Sequence, residues 1–232
     1  IVVEHKHVET AQFNVQSRVL ILPLWEKASN YVYDMLVGHE VGHALFTPNV
    51  DPPKDIPHNF LNVCEDARIE KLMKRKYLGI AKSFYRGYNE MHQDDFFELD
   101  GEDIDNFNLA DRANLHFKIG SFLDIPFSTP EVEIITLIKN AETFTDTIAA
   151  AAALYNFCKQ EQEAQEESRE ETEEESREAG VGRLRSRMSL VYRLLRWRKV
   201  MATARSMEWP MLTCRQPARD GTSLLSPTTT RT

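Results

Sequence analysis

Hydrophobic and polar residues alternate in short runs over positions 1–24, as they do in strands. Phe13-Asn14-Val15 is one such run, and Val19-Leu20-Ile21-Leu22, closed by Pro23, is a second and more β-rich one. The spacing then turns helical. A helix is predicted from about Ser29 to Phe46, with Ser29 or Asn30 as its cap and Pro48 as its stop. Pro48, Pro52, Pro53 and Pro57 make 48–57 a loop. A second helix is expected from about His58 to Tyr77. An acidic stretch from Asp94 to Asp105 reads as a solvated loop, because its spacing does not match a calcium-binding helix–loop–helix. Further helices are expected at about 108–123, 131–143 and 145–167; Pro130, Glu131 and Glu133 form a favourable start for the middle one. The fold class that follows is α+β, mostly helical, with a small N-terminal β-sheet.

Charge divides the chain. Residues 181–232 carry ten Arg and one Lys against one Glu and one Asp, a balance of +9, which leaves −17 on residues 1–180 out of a total of −8. Residues 161–178 hold ten Glu and read as a solvated helix extension or a disordered linker. We therefore expect a folded domain at 1–160, an acidic linker at 161–180 and a basic tail of low order at 181–232. The tail reads either as a nucleic-acid-binding segment or as out-of-frame sequence, and the second reading is preferred; the −17 body argues against nucleic acid. The chain has no apolar run of eighteen residues and no signal-peptide pattern, so neither a membrane span nor secretion is expected. It does not start with Met, as a fragment would not. Cys64, Cys158 and Cys214 are far apart and odd in number, which suits a reduced, cytoplasmic protein rather than a disulfide framework.

Against this background one motif carries chemistry. His39-Glu40-Val41-Gly42-His43 has the form H-E-x-x-H inside the first predicted helix. Residues four apart lie on one helix face, so both imidazoles can reach a single zinc ion. Glu40 is rotated away from that role, but it can take a proton from a water on the metal. Met35, Leu36 and Leu45 are available for packing. Gly38 and Gly42, also four apart, suggest that another backbone passes close to the histidines.

A catalytic zinc needs a third protein ligand. On the second helix, Glu65 sits among Leu61, Ile69 and Leu72, and a carboxylate on an apolar stripe needs a partner. Glu65 is the preferred ligand. Two alternatives remain: Glu65 pairs with Arg68 at i+3, or Asp66 ligates in its place. Asp66 and Glu70 form an i, i+4 pair suited to holding the histidines or Arg68 from behind. Tyr77, Tyr85, Tyr88, His92 and Arg68 are candidate donors for the oxyanion of a tetrahedral intermediate. His5, His7, His58 and His116 read as ordinary residues.

H-E-x-x-H followed by a Glu on the next helix resembles the gluzincin metallopeptidases, the group of thermolysin. More closely, Gly38–Pro48 together with the stretch Asn62–Glu70 is similar to the peptidase-like region of CobT-type and von Willebrand factor A-containing proteins, including those of T4-like phages. The resemblance covers about residues 1–160 and is most specific over 35–77. It implies a zincin-like fold, Zn2+ held by His39, His43 and Glu65, Glu40 as general base, and a peptide or protein substrate. It also implies a phage-encoded protein in the host cytoplasm, and a von Willebrand factor A domain where the basic tail stands. By analogy with zincins, the strand Val19–Leu22 is expected at the edge of the cleft, accepting an extended peptide. The alternative function is a non-catalytic, CobT-like docking or metal-chelatase accessory module working with an AAA+ ATPase partner. Ile69 departs from the thermolysin pattern, which has an Asp four residues after the ligand Glu. The support of the histidines must then come from Asp66 or Glu70.

Overall fold

The computed structural model describes residues 2–8, 10–14 and 17–178, with side chains as far as Ser168. The expected basic tail lies outside the described residues. In chain order the elements are β1 (Val2–Lys6), β2 (Gln12–Asn14), β3 (Val19–Pro23), α1 (Asn30–Phe46), α2 (His58–Lys76), α3 (Ile80–Gln93), a 3-10 turn (Ile104–Asn106), α4 (Leu109–Ile119), α5 (Thr129–Asn140) and α6 (Phe144–Glu178). This is the α+β, mostly helical architecture with a small N-terminal sheet that the pattern predicts. Among the described residues no helix is long and apolar enough to cross a membrane.

The sheet order is β1-β3-β2, with β1 parallel and β2 antiparallel to β3. This corrects the expectation for Val19–Leu22. That strand is central, and over residues 19–21 it is paired on both sides, so it is not an edge strand open to a peptide. Leu20, Leu22 and Phe13 are buried and pack with Val32, Met35 and Leu36 of α1 and Phe84, Tyr88 and Met91 of α3. The alternation of β3 thus sends Leu20 and Leu22 into the core shared with α1.

Ser29 caps α1 by accepting from the Tyr31 N–H at 3.2 Å, and its own N–H donates to Glu90 of α3 at 2.8 Å. The glycines of the motif meet side chains rather than a neighbouring backbone, contrary to expectation. A Cβ on Gly38 would lie 2.4 Å from Ile80 Cδ1, and one on Gly42 would lie 2.9 Å from Ile69 Cδ1. Gly38 therefore admits α3, and Gly42 admits α2.

A second core joins α2, α4, α5 and α6 through Leu61, Val63, Leu109, Ile138 and Leu154. Helix α4 belongs to both cores: Leu109, Ala110 and Ala113 face the second, and Leu115 and Ile119 face the first. Helix α6 runs without a break through residue 160. The expected division between domain and acidic linker therefore falls inside one helix, and as far as residue 178 the acidic stretch takes the helix-extension reading.

Candidate metal centre

Helices α1 and α2 pack against each other where the two cores meet. On α1, the rings of His39 and His43 lie one turn apart, with centroids 4.8 Å apart and planes at 77°. On α2, His58, Asn62, Asp66 and Glu70 follow at intervals of four and so share one face. Asp66 Oδ1 lies 3.2 Å from His43 Nε2 and 3.7 Å from His39 Nε2. Each imidazole has its other nitrogen engaged elsewhere. His39 Nδ1 is 3.1 Å from Glu70 Oε1, and His43 Nδ1 is 3.0 Å from Thr47 Oγ1. His39, His43 and Asp66 form a group able to hold a metal ion, with one ligand atom from each within 4.8 Å of the others.

The chemistry of the group fits such an ion. Two imidazole nitrogens and a carboxylate oxygen are a donor set that a divalent cation takes; without an ion, a proton on His43 Nε2 can join it to Asp66 Oδ1 at 3.2 Å. Ligands on a tetrahedral zinc with bonds of about 2.0–2.1 Å stand roughly 3.3 Å apart. The Nε2–Oδ1 separations of 3.2 and 3.7 Å bracket that spacing. Both Nδ1 atoms are held from outside, as imidazoles that ligate through Nε2 require.

The structure does not bring Glu65 into this group, in contrast to the ligand set expected from the sequence. Successive residues of a helix are rotated by about 100°, so Glu65 and Asp66 do not both reach the histidine pair of α1. Glu65 points to the ends of α1 and α6. It accepts from Arg68 Nε at 2.8 Å and Nη2 at 2.5 Å, from Thr147 Oγ1 at 3.0 Å and from Thr47 Oγ1 at 2.5 Å. Arg68 also donates to the carbonyl of Phe46 at 2.9 Å. The apolar stripe around Glu65 does mark burial. The partner inside it is the guanidinium at i+3, one of the alternatives left open by the sequence. Glu70 takes the supporting role on His39.

Two further groups complete the electrostatics. Lys118 of α4 places Nζ 3.0 Å from Asp66 Oδ2 and 3.7 Å from Glu70 Oε1, and Tyr88 of α3 donates to Glu70 Oε1 at 2.5 Å. Burial alone would raise the Asp66 carboxyl, but Lys118, His39 and His43 hold it well below the usual carboxylate range. Glu70 behaves alike: burial opposes, yet Lys74, Lys118 and His39 bring it down to about 2. Glu40 goes the other way. It is buried, and desolvation, with Asp66 adding to it, pushes it up to about 8 against the pull of His43, the Phe13 backbone N–H and Lys118. Glu40 thus lies between the metal group and β2.

The candidate oxyanion donors are placed elsewhere or already engaged. Arg68 is committed to Glu65 and Phe46. Tyr88 is committed to Glu70 and also accepts from Lys118 at 3.3 Å. Tyr77 and Tyr85 are exposed, and His92 stacks on Phe122. His58, set aside as ordinary, heads the polar stripe of α2. Asn62 donates to its Nδ1 at 3.1 Å, which leaves the proton on Nε2. Burial holds His58 below its usual pKa, with Asp66 opposing. Sequence reasoning missed Thr47 and Lys118 as well. Thr47 had a signal, since it stands four residues after His43. Lys118 had none. Comparison of the chain with family models, with curated proteins and with solved structures found no match to any of them.

Proposed function

We propose that the chain is a zinc-dependent metallopeptidase with His39, His43 and Asp66 as its protein ligands and Glu40 as its general base. The observation that carries the reading is the convergence of His39 Nε2, His43 Nε2 and Asp66 Oδ1 beside a buried glutamate. A bound zinc ion supplies Lewis acidity, which makes water nucleophilic near neutral pH and polarises a carbonyl. The residues of the chain do the rest. Asp66 offers Oδ1 to the ion while Lys118 holds Oδ2. Glu70 and Thr47 keep the imidazoles in register. Glu40 receives the proton of the attacking water and returns it to the leaving amine. Its burial favours the protonated form, which suits it to take up that proton, and a divalent cation beside it favours the carboxylate again.

The test is hydrolysis of casein or of a quenched-fluorescence peptide library by zinc-loaded protein, with Glu40→Gln alongside. The expected outcome is activity that falls at least about 10²-fold in the variant, the size of a lost general base, while zinc stoichiometry stays at that of the wild type. Equal hydrolysis by both proteins, or none by the zinc-loaded wild type, contradicts the peptidase reading.

A further inference from the structure

We propose that Thr47 and Glu65 are positioning residues for His43: Glu65 takes the hydroxyl proton of Thr47, and the Thr47 oxygen holds the Nδ1–H of His43, so that Nε2 stays bare for a metal ion. The proposal rests on the reading of His39, His43 and Asp66 as a metal centre and gives Glu65 a role other than ligand.

The direction of each hydrogen bond follows from the chemistry of the partners. Glu65 is ion-paired with Arg68, and a carboxylate in that state only accepts. It receives two N–H groups from Arg68 and the hydroxyl of Thr147, all from fixed helices. Thr47 has one hydroxyl proton, and the 2.5 Å contact with Glu65 Oε1 claims it. What remains on Oγ1 is a lone pair, 3.0 Å from His43 Nδ1. A hydrogen bond between the two therefore needs the proton on Nδ1, and Nε2, 3.2 Å from Asp66 Oδ1, is the nitrogen left to an ion in place of that contact. Thr47 is itself fixed relative to His43, because it is the C-cap of α1 and its backbone N–H bonds to the His43 carbonyl at 3.0 Å. Arg68 adds a second tie, from Glu65 to the Phe46 carbonyl at the end of α1. The two histidines are thus oriented differently. Glu70 holds His39 directly, whereas His43 is held through a hydroxyl relay that ends on a buried ion pair.

The test uses wild-type protein, Thr47→Val and Thr47→Ser. In the metal-free proteins the protonated ring nitrogen of His43 is read from long-range 1H–15N NMR spectra. Zinc affinity is then measured by competition with a chromophoric chelator, with Asp66→Asn as the ligand control. The expected result is Nδ1–H in the wild type and a shift towards Nε2–H in Thr47→Val, where Asp66 Oδ1 at 3.2 Å becomes the better partner. Zinc affinity should fall about 10–100-fold in Thr47→Val, as for other lost supports of a metal ligand, and Thr47→Ser should restore both. A Thr47→Val protein with the wild-type tautomer and wild-type zinc affinity overturns the relay. A wild type that binds zinc no better than Asp66→Asn overturns the metal centre instead. The tautomer series then decides the relay alone: a shift supports it, and its absence removes it.

Discussion

Away from the metal group, the ion pair of Arg112 and Glu131 is one contributor to the acid sensitivity of the fold. Arg112 of α4 donates to the carbonyls of Phe107 and Pro126 and to both carboxylate oxygens of Glu131 on α5. Glu131 also closes the capping box of α5 with Ser128. Burial pushes its carboxyl up, but Arg112 and the Ser128 N–H together bring it below the ordinary value of 4.5. A carboxyl depressed by folding stabilises the native state fully above its unfolded pKa, and this contribution fades as pH falls through the lower native value. Glu131→Gln should therefore cost about 1–3 kcal/mol at pH 7, the usual size of a lost buried charged hydrogen bond. The gap from wild type should narrow in urea denaturation at pH 3. A gap that widens in acid contradicts the assignment. At this same scale the metal group was half legible. His39, Glu40 and His43 are readable because a local spacing of four fixes a helix face. The choice between Glu65 and Asp66 was not, because both are acids next to each other and only the packing of α2 decides which one turns to α1. The burial of Glu65 was readable from Leu61 and Ile69; that Arg68 would satisfy it was a competing and equally local possibility.

Helix α3 is the α-helix that the sequence reading left out. Its buried positions Phe84, Gly87, Tyr88 and Met91 do follow a helical spacing. Gly79 and Gly87 punctuate the segment and hide it, since glycine in a helix interior counts against a helix. The structure supplies the reason for Gly87. A Cβ there would stand 2.9 Å from the Tyr31 carbonyl oxygen and 3.0 Å from Met35 Cβ, so the backbones of α1 and α3 meet at this point. Gly38 is tight for a different reason, because its nearest neighbour is the flexible end of Ile80. Two substitutions should therefore diverge. Gly87→Ala should destabilise by about 1–3 kcal/mol despite its better helix propensity, the range for an overpacked interior. Gly38→Ala should cost less, because the Ile80 terminus can turn aside. Thermal denaturation of the two variants ranks them, and the reverse order contradicts the α1–α3 packing. The other helices were legible to within a few residues, save the end of α6, which runs to Glu178 rather than stopping near 167; caps and prolines mark α1 through Ser29 and Pro48, and α5 through Ser128 and Pro130.

For the whole molecule, the candidate site depends on contacts that cross long stretches of chain. His43 and Asp66 are 23 residues apart, Asp66 and Lys118 are 52 apart, and Glu65 and Thr147 are 82 apart. No local pattern encodes such meetings. They arise because α4 lies in both cores and carries Lys118 to the seam between them, while α6 closes over Glu65. The fold class was legible from alternation and helical spacing, whereas the order of the strands was not. β3 becomes central because β1, earlier in the chain, runs parallel to it on the side opposite β2. The resulting site sets His39, His43 and Asp66, a group able to hold a metal ion, against the buried Glu40 and the half-buried Lys118. The most direct measurement is an anomalous difference map at the zinc absorption edge from crystals of the zinc-loaded protein. The expected result is one peak at about 2.0–2.2 Å from His39 Nε2, His43 Nε2 and Asp66 Oδ1, with Glu65 still bonded to Arg68. A peak bonded to Glu65, or no peak between the two histidines in zinc-saturated crystals, contradicts the metal centre.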